Sequence, residues 1–462
     1  MQIGRKDLLW NYAATSMRIV SGIVVLPIAL RMLPSEEMGI WSIFISLMTI
    51  TSLLDFGFSN SFSRNITYVY SGVKELKTKG YAVAETAKID YGLLKTLLLA
   101  MKRYYGIAAL VFLIIFLAGS PFYISSVLQQ YSGDNQAIWI AWYIFGGILA
   151  YELYTYYYNA ILTGRGLIKR NMQIIVLSQS IRIVATLAFL FAGLGIISLV
   201  LGLLISDVIN RILAYHVFYD KETKNNLATA TITRVWDTIK TLAPNSLKVG
   251  FTSLSYFLRN QSFILIAPFY LSLSQIAEYG ISRQLIALIS TLGLTWYYTF
   301  YSKTAQYQVR EDIAGVKRLY IKGILNLIFL FVVGGSVLLL FGSDAMLFIK
   351  SKTPLLCNEY LFLMLLFLFL EGRQGIANGT LIAKNKVPFF KADIISGVCS
   401  VFLLLLMLNF TQLGVLSLIL ATGLVLFAYL NWKIPATLAK EIQLTWKDYI
   451  TVIQNFRKEN RK

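Results

Sequence analysis

The segment LGIISLVL (Leu194–Leu201) recurs 219 residues further along the chain as LGVLSLIL (Leu413–Leu420). Both copies lie in stretches of about 20 apolar residues, the length at which a helix crosses the hydrocarbon core of a bilayer. The same shift places Glu152 on Glu371. Hydropathy alone would not put an acid at matching positions of two apolar stretches, so the similarity indicates an internal repeat of membrane-spanning helices.

The opening helices of the two halves also correspond. A shift of 241 residues pairs Arg18 with Arg259 and Pro27 with Pro268. The two shifts differ because the loop at residues 64–105 is longer than its counterpart in the second half. Each half is therefore expected to contain six spans in the same orientation, because an even number of spans returns the chain to the side on which it started.

The whole chain is apolar, with 57% hydrophobic and only 14% charged residues among 462. We predict an all-α polytopic membrane protein with about 12 transmembrane helices, arranged as two pseudo-repeated six-helix bundles around a central cleft. The predicted spans are residues 8–30, 39–62, 106–128, 137–162, 172–192, 196–217, 242–270, 279–301, 323–342, 359–383, 388–409 and 414–434. The predicted domains are an N-terminal six-helix bundle at 1–220, a cytoplasmic linker at 221–241, a C-terminal six-helix bundle at 242–434 and a cytoplasmic basic tail at 435–462.

The formal net charge of +19 is distributed unevenly along the chain. About 32 of the 42 Lys and Arg residues fall in alternate loops and in the two tails, and about three fall in the opposite loops. This asymmetry follows the positive-inside rule and places both termini in the cytoplasm. The excess of basic residues is thereby explained by membrane topology, and nucleic acid is not expected as a partner.

Residues with the usual catalytic or metal-binding chemistry are scarce. The chain has two cysteines, Cys357 and Cys399, far apart in the sequence, and a single histidine, His216. They do not make a disulfide framework, a metal cluster or a catalytic triad, so we expect no metal, no cofactor and no enzyme. The external loops are short, which also argues against a membrane-bound glycan polymerase or ligase.

Basic side chains recur inside the predicted spans at helical spacing. Span seven carries a polar stripe at intervals of three and four residues, which keeps it on one helix face: Asn245, Lys248, Thr252, Ser255 and Arg259. Span one repeats the pattern with Asn11, Thr15, Arg18 and Gly22. Such a stripe is stable only when it faces a wet interior. We therefore predict a cationic cleft that binds an anionic group, lined by Arg18, Lys248, Arg259, Arg182 and Arg283.

The alternative is that these cations pair with carboxylates of neighbouring spans and hold helices together. The candidate partners are Glu152, Asp207 and Glu371. Arg211 lies near the predicted cytoplasmic boundary, where a long side chain is expected to snorkel towards water.

The two repeated acids have two interpretations of their own. A carboxylate at membrane depth is typical of a proton or sodium site, so Glu152 and Glu371 are candidates for ion coupling. Ion pairing is the other interpretation, and for Glu371 the neighbouring Arg373 is a candidate partner.

The fourth span is rich in tyrosine, and the cytoplasmic segments alternate apolar and basic residues. The ring faces of Tyr151, Tyr154, Tyr156, Tyr157 and Tyr158 could stack on sugars, while an interfacial aromatic belt is the commoner cause of such clusters. The segment LLKTLLLAMKRYY (Leu93–Tyr105) is predicted to lie on the membrane surface as an amphipathic helix, and the tail after Pro435 shows a similar pattern.

Two segments near the start of the chain carry a family motif. RMLPSEEMGI (Arg31–Ile40) and LLDFGFSNSFSRNI (Leu53–Ile66) resemble the opening of the polysaccharide transporter family. That family belongs to a superfamily that also contains the lipid II flippase MurJ and the multidrug and toxic compound extrusion proteins. The matching positions are Arg31, Leu33, Glu36, Gly39, Asp55, Gly57 and Arg64. The chain departs from the family pattern at Pro34, where glycine is common, and at Met38, where tyrosine is usual.

The resemblance implies a Wzx-type flippase for O-antigen or capsule repeat units in the bacterial cytoplasmic (inner) membrane. Such a protein moves undecaprenyl-pyrophosphate-linked oligosaccharides from the cytoplasmic to the periplasmic leaflet by alternating access. It is expected to use H+ or Na+ and to work beside a polysaccharide polymerase. The alternative within the superfamily is an ion-coupled small-molecule antiporter of the multidrug type. Cationic drugs would favour an acidic lining, whereas the spans carry about seven basic and five acidic residues.

Overall fold

The computed structural model describes residues 5–76, 88–232, 234–309, 312–382 and 388–459. Within these ranges the backbone is almost entirely α-helical and contains no strand. The prediction of an all-α fold is therefore confirmed. The chain forms two compact units, Met1–Phe257 and Leu258–Lys462, which are described separately below as unit 1 and unit 2.

The described part of unit 1 contains nine helices and most of a tenth. Their bounds are α1 (Arg5–Met32), α2 (Ser35–Leu54), α3 (Phe58–Tyr70), α4 (Tyr91–Leu128), α5 (Asn135–Thr155), α6 (Tyr157–Arg165), α7 (Ile168–Phe191), α8 (Ile197–Phe218), α9 (Lys221–Thr229) and α10 (Val235–Asn260). The division between the units falls inside α10. The first part of α10 packs within unit 1, where a methyl group added at Gly250 would lie only 2.1 Å from the ring of Phe56.

Unit 2 repeats part of this order of elements. Its helices are α11 (Ser262–Ile266), α12 (Leu273–Thr299), α13 (Tyr301–Val309), α14 (Ile313–Phe348), α15 (Asn358–Ile382), α16 (Phe390–Phe410), α17 (Val415–Ala428), α18 (Leu430–Glu441) and α19 (Trp446–Glu459). In both units a long helix is followed by a break, a short helix and then a very long helix. The very long helices, α4 and α14, have 38 and 36 residues. This shared order supports the internal repeat, while the central cleft and the four domain boundaries stay predictions.

Ten described helical segments are long and apolar enough to cross a membrane, judged by length and composition. They are α1 from Ala13, α2, α4, α5 with α6, α7, α8, α14, α15, α16, and α17 with α18. The two other predicted spans, seven and eight, correspond to α10 and α12. These helices have 26 and 27 residues, about 40 Å at 1.5 Å per residue, so they are long enough to span a bilayer.

The structure corrects the prediction for residues 93–105. They do not form a separate helix on the membrane surface but are part of the continuous helix α4, which is about 57 Å long. Because the hydrocarbon core is only about 30 Å thick, part of α4 must extend beyond it. The apolar face of this part, including Leu94, Leu97 and Met101, is fully buried against protein, and this packing replaces the contact with lipid that we expected.

The predicted second span is interrupted by a tight turn at Asp55–Gly57. Phe56 and Gly57 have φ values of 46° and 73°, in the left-handed region where glycine has no steric penalty. The Asp55 carboxylate accepts hydrogen bonds from the amide and the hydroxyl of Ser59, at 2.9 and 3.0 Å. The hydroxyl of Tyr105 on α4 donates to the same carboxylate. Two positions of the family motif, Asp55 and Gly57, thus shape the break and tie it to α4.

The segment after α8 is anchored to unit 1 at both ends of α9. The Asp220 carboxylate caps α9 by accepting from the amide of Thr223 at 2.8 Å, and it also forms an ion pair with Arg165 at 2.7 Å. These interactions, with Thr223 contributing most, lower the pKa of Asp220 to about 2. At the other end, Lys95 on α4 donates to the carbonyl oxygen of Ala230 at 2.9 Å. The first part of the predicted linker is therefore a docked helix.

We expect Asp55→Ala to destabilise unit 1. The substitution removes the acceptor of the Ser59 amide in the first turn of α3 and leaves the buried hydroxyl of Tyr105 without its acceptor, which together should cost about 2–4 kcal/mol. The measurement is the Tm of the purified protein in detergent. Ser52→Ala, which alters an exposed hydroxyl on α2, is the matched control. Equal Tm values for the two variants would show that the turn does not depend on Asp55.

Candidate functional site

Four charged side chains come together in unit 1, and we call them the charged seam. They are Glu152 on α5, Arg182 on α7, and Asp207 and Arg211 on α8. Each acid interacts electrostatically with both arginines. Among the described residues, however, none of the four side chains forms a hydrogen bond or an ion pair within 4.0 Å. Arg211 is only 7% exposed, and its Nε atom is buried without a hydrogen-bond partner.

The packing of α7 on α8 holds the charged seam in place. The hydroxyl of Ser206 donates to the carbonyl oxygen of Ser178 at 3.0 Å, and the amide of Asn210 donates to the Ser178 hydroxyl at 3.2 Å. Arg182 lies one turn beyond Ser178 on α7, and Arg211 follows Asn210 on α8. These interhelical bonds therefore fix the rotation of both helices next to the two guanidinium groups.

The sequence analysis predicted two residues of the charged seam as functional residues and did not predict the other two. Arg182 and Glu152 were predicted as a cleft cation and a coupling acid. Arg211 was expected to snorkel, and this prediction is wrong, because the side chain is buried inside the helical bundle. Asp207 was considered only as a partner for cations. The four-residue spacing of Asp207 and Arg211 was a visible signal, since it places both on one helix face.

In unit 2, Arg259 is bound to another helix. Its Nη1 atom donates to the carboxylate of Asp393 at 3.2 Å and to the hydroxyl of Ser396 at 2.7 Å, both on α16. Both charged side chains are less than 10% exposed. The hydroxyl of Thr422 on α17 donates to the Arg259 carbonyl oxygen at 2.9 Å. For Arg259 the geometry therefore favours the alternative interpretation, a tie between helices, over a cleft cation.

A second polar network lines a small, partly open cavity in unit 2. Arg283 donates to the side-chain oxygen of Asn260 at 2.6 Å, and the Asn260 amide donates to Glu371 at 3.1 Å. Asn431 also lines the cavity and is 1% exposed, and neither of its side-chain polar atoms has a hydrogen-bond partner among the residues that the structure describes. The cavity is thus lined by the carboxylate of Glu371, the guanidinium group of Arg283 and the side-chain amide of Asn431, which makes no hydrogen bond within the described part of the chain.

The structure does not show the suggested pair between Glu371 and Arg373. Arg373 instead donates to the carbonyl oxygen of Asn431 at 3.2 Å and lies 5.3 Å from the ring centroid of Trp432. The two side chains project to different sides of α15, because a two-residue separation rotates them by about 200°.

The remaining predicted residues divide into three groups. The side chains of Arg18 and Lys248 lie outside the described part of the chain, so their role in a cationic cleft stays a prediction. Of the motif residues, Arg31 and Arg64 are exposed and Gly39 is buried. The motif residue Glu36 has a separate structural role. Its carboxylate accepts from the amide of Ser132 at 2.9 Å and so holds the loop between α4 and α5.

A double-mutant cycle should show that Arg259 and Asp393 form a stabilising ion pair between helices, unlike the arginines of the charged seam. We expect Arg259→Met or Asp393→Leu alone to cost about 3–5 kcal/mol, because each leaves a buried charge without its partner, and the double substitution to recover most of that loss. The measurement is unfolding of the purified protein. Arg182→Met is the contrast and should cost less than either single substitution at the tie, because Arg182 forms no ion pair with any residue that the structure describes. Additive losses at Arg259 and Asp393 would contradict the assigned tie.

Comparisons with known proteins give no match to any protein-family model and none to the curated protein sequences. Solved structures do match. An inward-facing multidrug resistance MATE family transporter of the MOP superfamily is 15% identical over 95% of this chain and 94% of that one, with a TM-score of 0.66. The lipid II flippase MurJ, in an inward closed conformation, is 14% identical over 97% and 90% of the two chains, with a TM-score of 0.63.

A third similar structure is a MOP superfamily transporter from Pyrococcus furiosus Vc1 (DSM3638), described as having a binding pocket of reverse polarity that suggests a different function. It is 15% identical over 95% of this chain and 94% of that one, with a TM-score of 0.54. All three proteins are transporters or flippases. At this identity the likeness shows the fold alone: this chain has the helical fold that these three structures share.

Proposed function

We propose that this protein is a flippase that moves undecaprenyl-pyrophosphate-linked oligosaccharides from the cytoplasmic to the periplasmic leaflet. The observation that carries the proposal is the presence of two guanidinium groups, Arg182 and Arg211, without ion-pair partners among the described residues of unit 1. A guanidinium group presents five N–H donors in a plane that suits phosphate oxygens. A pyrophosphate would supply the acceptors that these donors lack.

The two acids of the charged seam are compatible with this role. Glu152 and Asp207 balance the two guanidinium groups at longer range, which lowers the cost of placing charge in the membrane. Because they form no ion pair with Arg182 or Arg211, the arginine N–H donors stay available to a ligand. We assign Arg18 and Lys248 to the same path as additional cations, on the basis of the sequence pattern in spans one and seven.

The similar structures leave the choice of substrate open, because a multidrug transporter and a lipid II flippase share the fold. The multidrug antiporter is therefore the second candidate, and the acids Glu152 and Asp207 are the observation in its favour. The buried orphan donor of Arg211 favours an anionic ligand instead. In our proposal the headgroup and glycan move through the protein by alternating access in the inner membrane, the lipid tail stays in the bilayer, and a polysaccharide polymerase receives the product.

For energy coupling we propose Glu371 as the site for H+ or Na+. It lines the cavity of unit 2, and the one side chain that donates to it in the described part of the chain is the neutral amide of Asn260. Its carboxylate can therefore accept a cation without first breaking an ion pair. Glu152 belongs to the charged seam, and we assign it to charge balance.

We expect Arg182→Gln and Arg211→Gln each to lower surface glycan assembly by about ten-fold or more, since a charge-assisted hydrogen bond is worth about 1.5–3 kcal/mol. The measurement is glycan on the cell surface of a strain that lacks the chromosomal copy, with protein levels determined by immunoblotting. Arg103→Gln, which removes an exposed arginine on α4, is the matched control and should have no effect.

Two outcomes would contradict the flippase proposal. One is normal glycan assembly in both seam variants at normal protein levels. The other is loss of drug resistance, with unchanged surface glycan, when the gene is deleted in a drug-sensitised strain. That second result would favour the multidrug antiporter.

A separate experiment tests the coupling site. Glu371→Gln keeps the acceptor for Asn260 but removes the charge, so transport into proteoliposomes should lose its dependence on an imposed H+ or Na+ gradient. Glu152→Gln and the exposed Glu359→Gln, at the start of α15, should retain that dependence. Retained gradient dependence in Glu371→Gln would show that coupling does not use Glu371, and its loss in Glu152→Gln would contradict the assignment of Glu152 to charge balance.

A further inference from the structure

Four polar side chains follow one another along α8 and its C-terminal end, and we call them the α8 stripe. They are Asp207, Arg211, Tyr215 and Tyr219. A spacing of four residues keeps successive members on nearly the same helix face, and the stripe is about 18 Å long. The stripe begins in the charged seam, where Arg211 is 7% exposed, and reaches Tyr215, which is 40% exposed, and the half-buried Tyr219.

Neighbouring elements extend the aromatic end of the stripe. Tyr158 on α6 interacts electrostatically with Tyr215 and Tyr219, and Tyr154 on α5 interacts with Tyr158 and Tyr219. Tyr158 is also close enough to Arg211 for an electrostatic interaction. The rings of Tyr215 and Tyr219 have centroids 4.9 Å apart. The result is a continuous surface of unit 1 that leads from a buried guanidinium group to exposed aromatic rings.

Two lysines add positive charge beside these rings. The Lys224 ammonium group lies 5.2 Å from the centroid of Tyr215, and the Lys102 ammonium group lies 5.9 Å from the centroid of Tyr219. Lys224 belongs to the docked helix α9 and Lys102 to the extended part of α4. Both are therefore supplied by elements that unit 1 holds in place through Asp220 and Lys95.

We propose that the α8 stripe, together with Tyr154, is the binding site for the glycan of the lipid-linked substrate. Sugar rings would stack on the tyrosine faces, while the phosphate end would lie at Arg211. The negative face of an aromatic ring attracts the C–H groups of a sugar. One turn of α8 separates Arg211 from Tyr215, so a sugar directly attached to the phosphate would meet the first ring. This assignment rests on the proposed flippase function.

An interfacial aromatic belt explains these tyrosines less well. A belt places its rings towards lipid at the membrane boundary, but Tyr158 is 8% exposed and stacks on the 2% exposed Tyr157 at 4.6 Å. The repeat gives a second argument. The 219-residue shift puts Arg373, Ala377, Ile434 and Leu438 at the positions of Tyr154, Tyr158, Tyr215 and Tyr219. The cluster is therefore specific to unit 1.

Photo-cross-linking in the native cell distinguishes a glycan from a lipid headgroup. The variants are Tyr154→p-benzoylphenylalanine and Tyr215→p-benzoylphenylalanine, each in the full-length protein. Tyr143, on the same helix α5 and 44% exposed against 43% for Tyr154, is the matched control. After irradiation, mass spectrometry should identify the cell's own pyrophosphate-linked glycolipid on positions 154 and 215, and only phospholipid on position 143. Phospholipid alone at all three positions would overturn the proposal in favour of the belt.

Conservative substitutions provide a second readout. Tyr215→Phe and Tyr154→Phe keep the ring face and should retain surface glycan assembly. The combined Tyr154→Leu and Tyr215→Leu variant should lower it by about ten-fold, because two stacking faces are lost. Tyr143→Leu should have no effect. Equal activity of the Leu and Phe variants would overturn the glycan site.

Failure of this site and failure of the flippase function give different results. One outcome is that Arg182→Gln lowers glycan assembly while the Leu and Phe variants are equally active and only phospholipid is cross-linked. In that case the flippase proposal stands and the glycan site is contradicted. If deletion of the gene leaves glycan assembly unchanged, both fall together.

Discussion

An ionised side chain inside a bilayer needs a counter-charge, water or a ligand, because burying it alone costs at least ~2.5–3.5 kcal/mol. The two units of this protein meet that constraint in different ways. In unit 2, Arg259 is bound to Asp393 and Ser396, so its charge stabilises the packing of α10 and α16. In unit 1, Arg182 and Arg211 are balanced only at a distance. The ion pair of Arg259 stabilises helix packing, whereas the arrangement in unit 1 leaves N–H donors of Arg182 and Arg211 available to a ligand.

The internal repeat makes this difference informative. The 219-residue shift preserves one acid, Glu152 with Glu371, but it replaces Arg182, Asp207 and Arg211 by Val401, Leu426 and Leu430. The two units therefore share a helical framework and differ in the groups that it carries. Unit 1 combines the charged seam with the tyrosine cluster, whereas unit 2 has the cavity around Glu371. This division of roles is what one expects when one half recognises a large polar substrate and the other responds to an ion.

The sequence predicted the helical fold well, because hydropathy, repeat spacing and charge asymmetry are properties of single segments. Interactions between segments were harder to predict. The stripe on α10 contains no acid, so nothing in it indicated that Asp393 on α16 would bind Arg259. Arg211 was misjudged for a similar reason, since its nearness to a helix end was visible and its burial by neighbouring helices was not. Pattern alone also could not show that Leu93–Tyr105 would be covered by protein and continue into α4.

The unbroken length of α4 has a mechanical consequence. A helix of about 57 Å behaves as a lever, so a tilt of about 5° at its membrane end carries the other end through about 5 Å. The far end of α4 is attached to neighbouring segments. Lys95 binds the carbonyl oxygen of Ala230, just after α9. Arg165, at the end of α6, binds Asp220 at the start of α9 and the carbonyl oxygen of Phe218 at the end of α8. A small tilt of α4 in the bilayer would thus produce a larger displacement of the segment around α9.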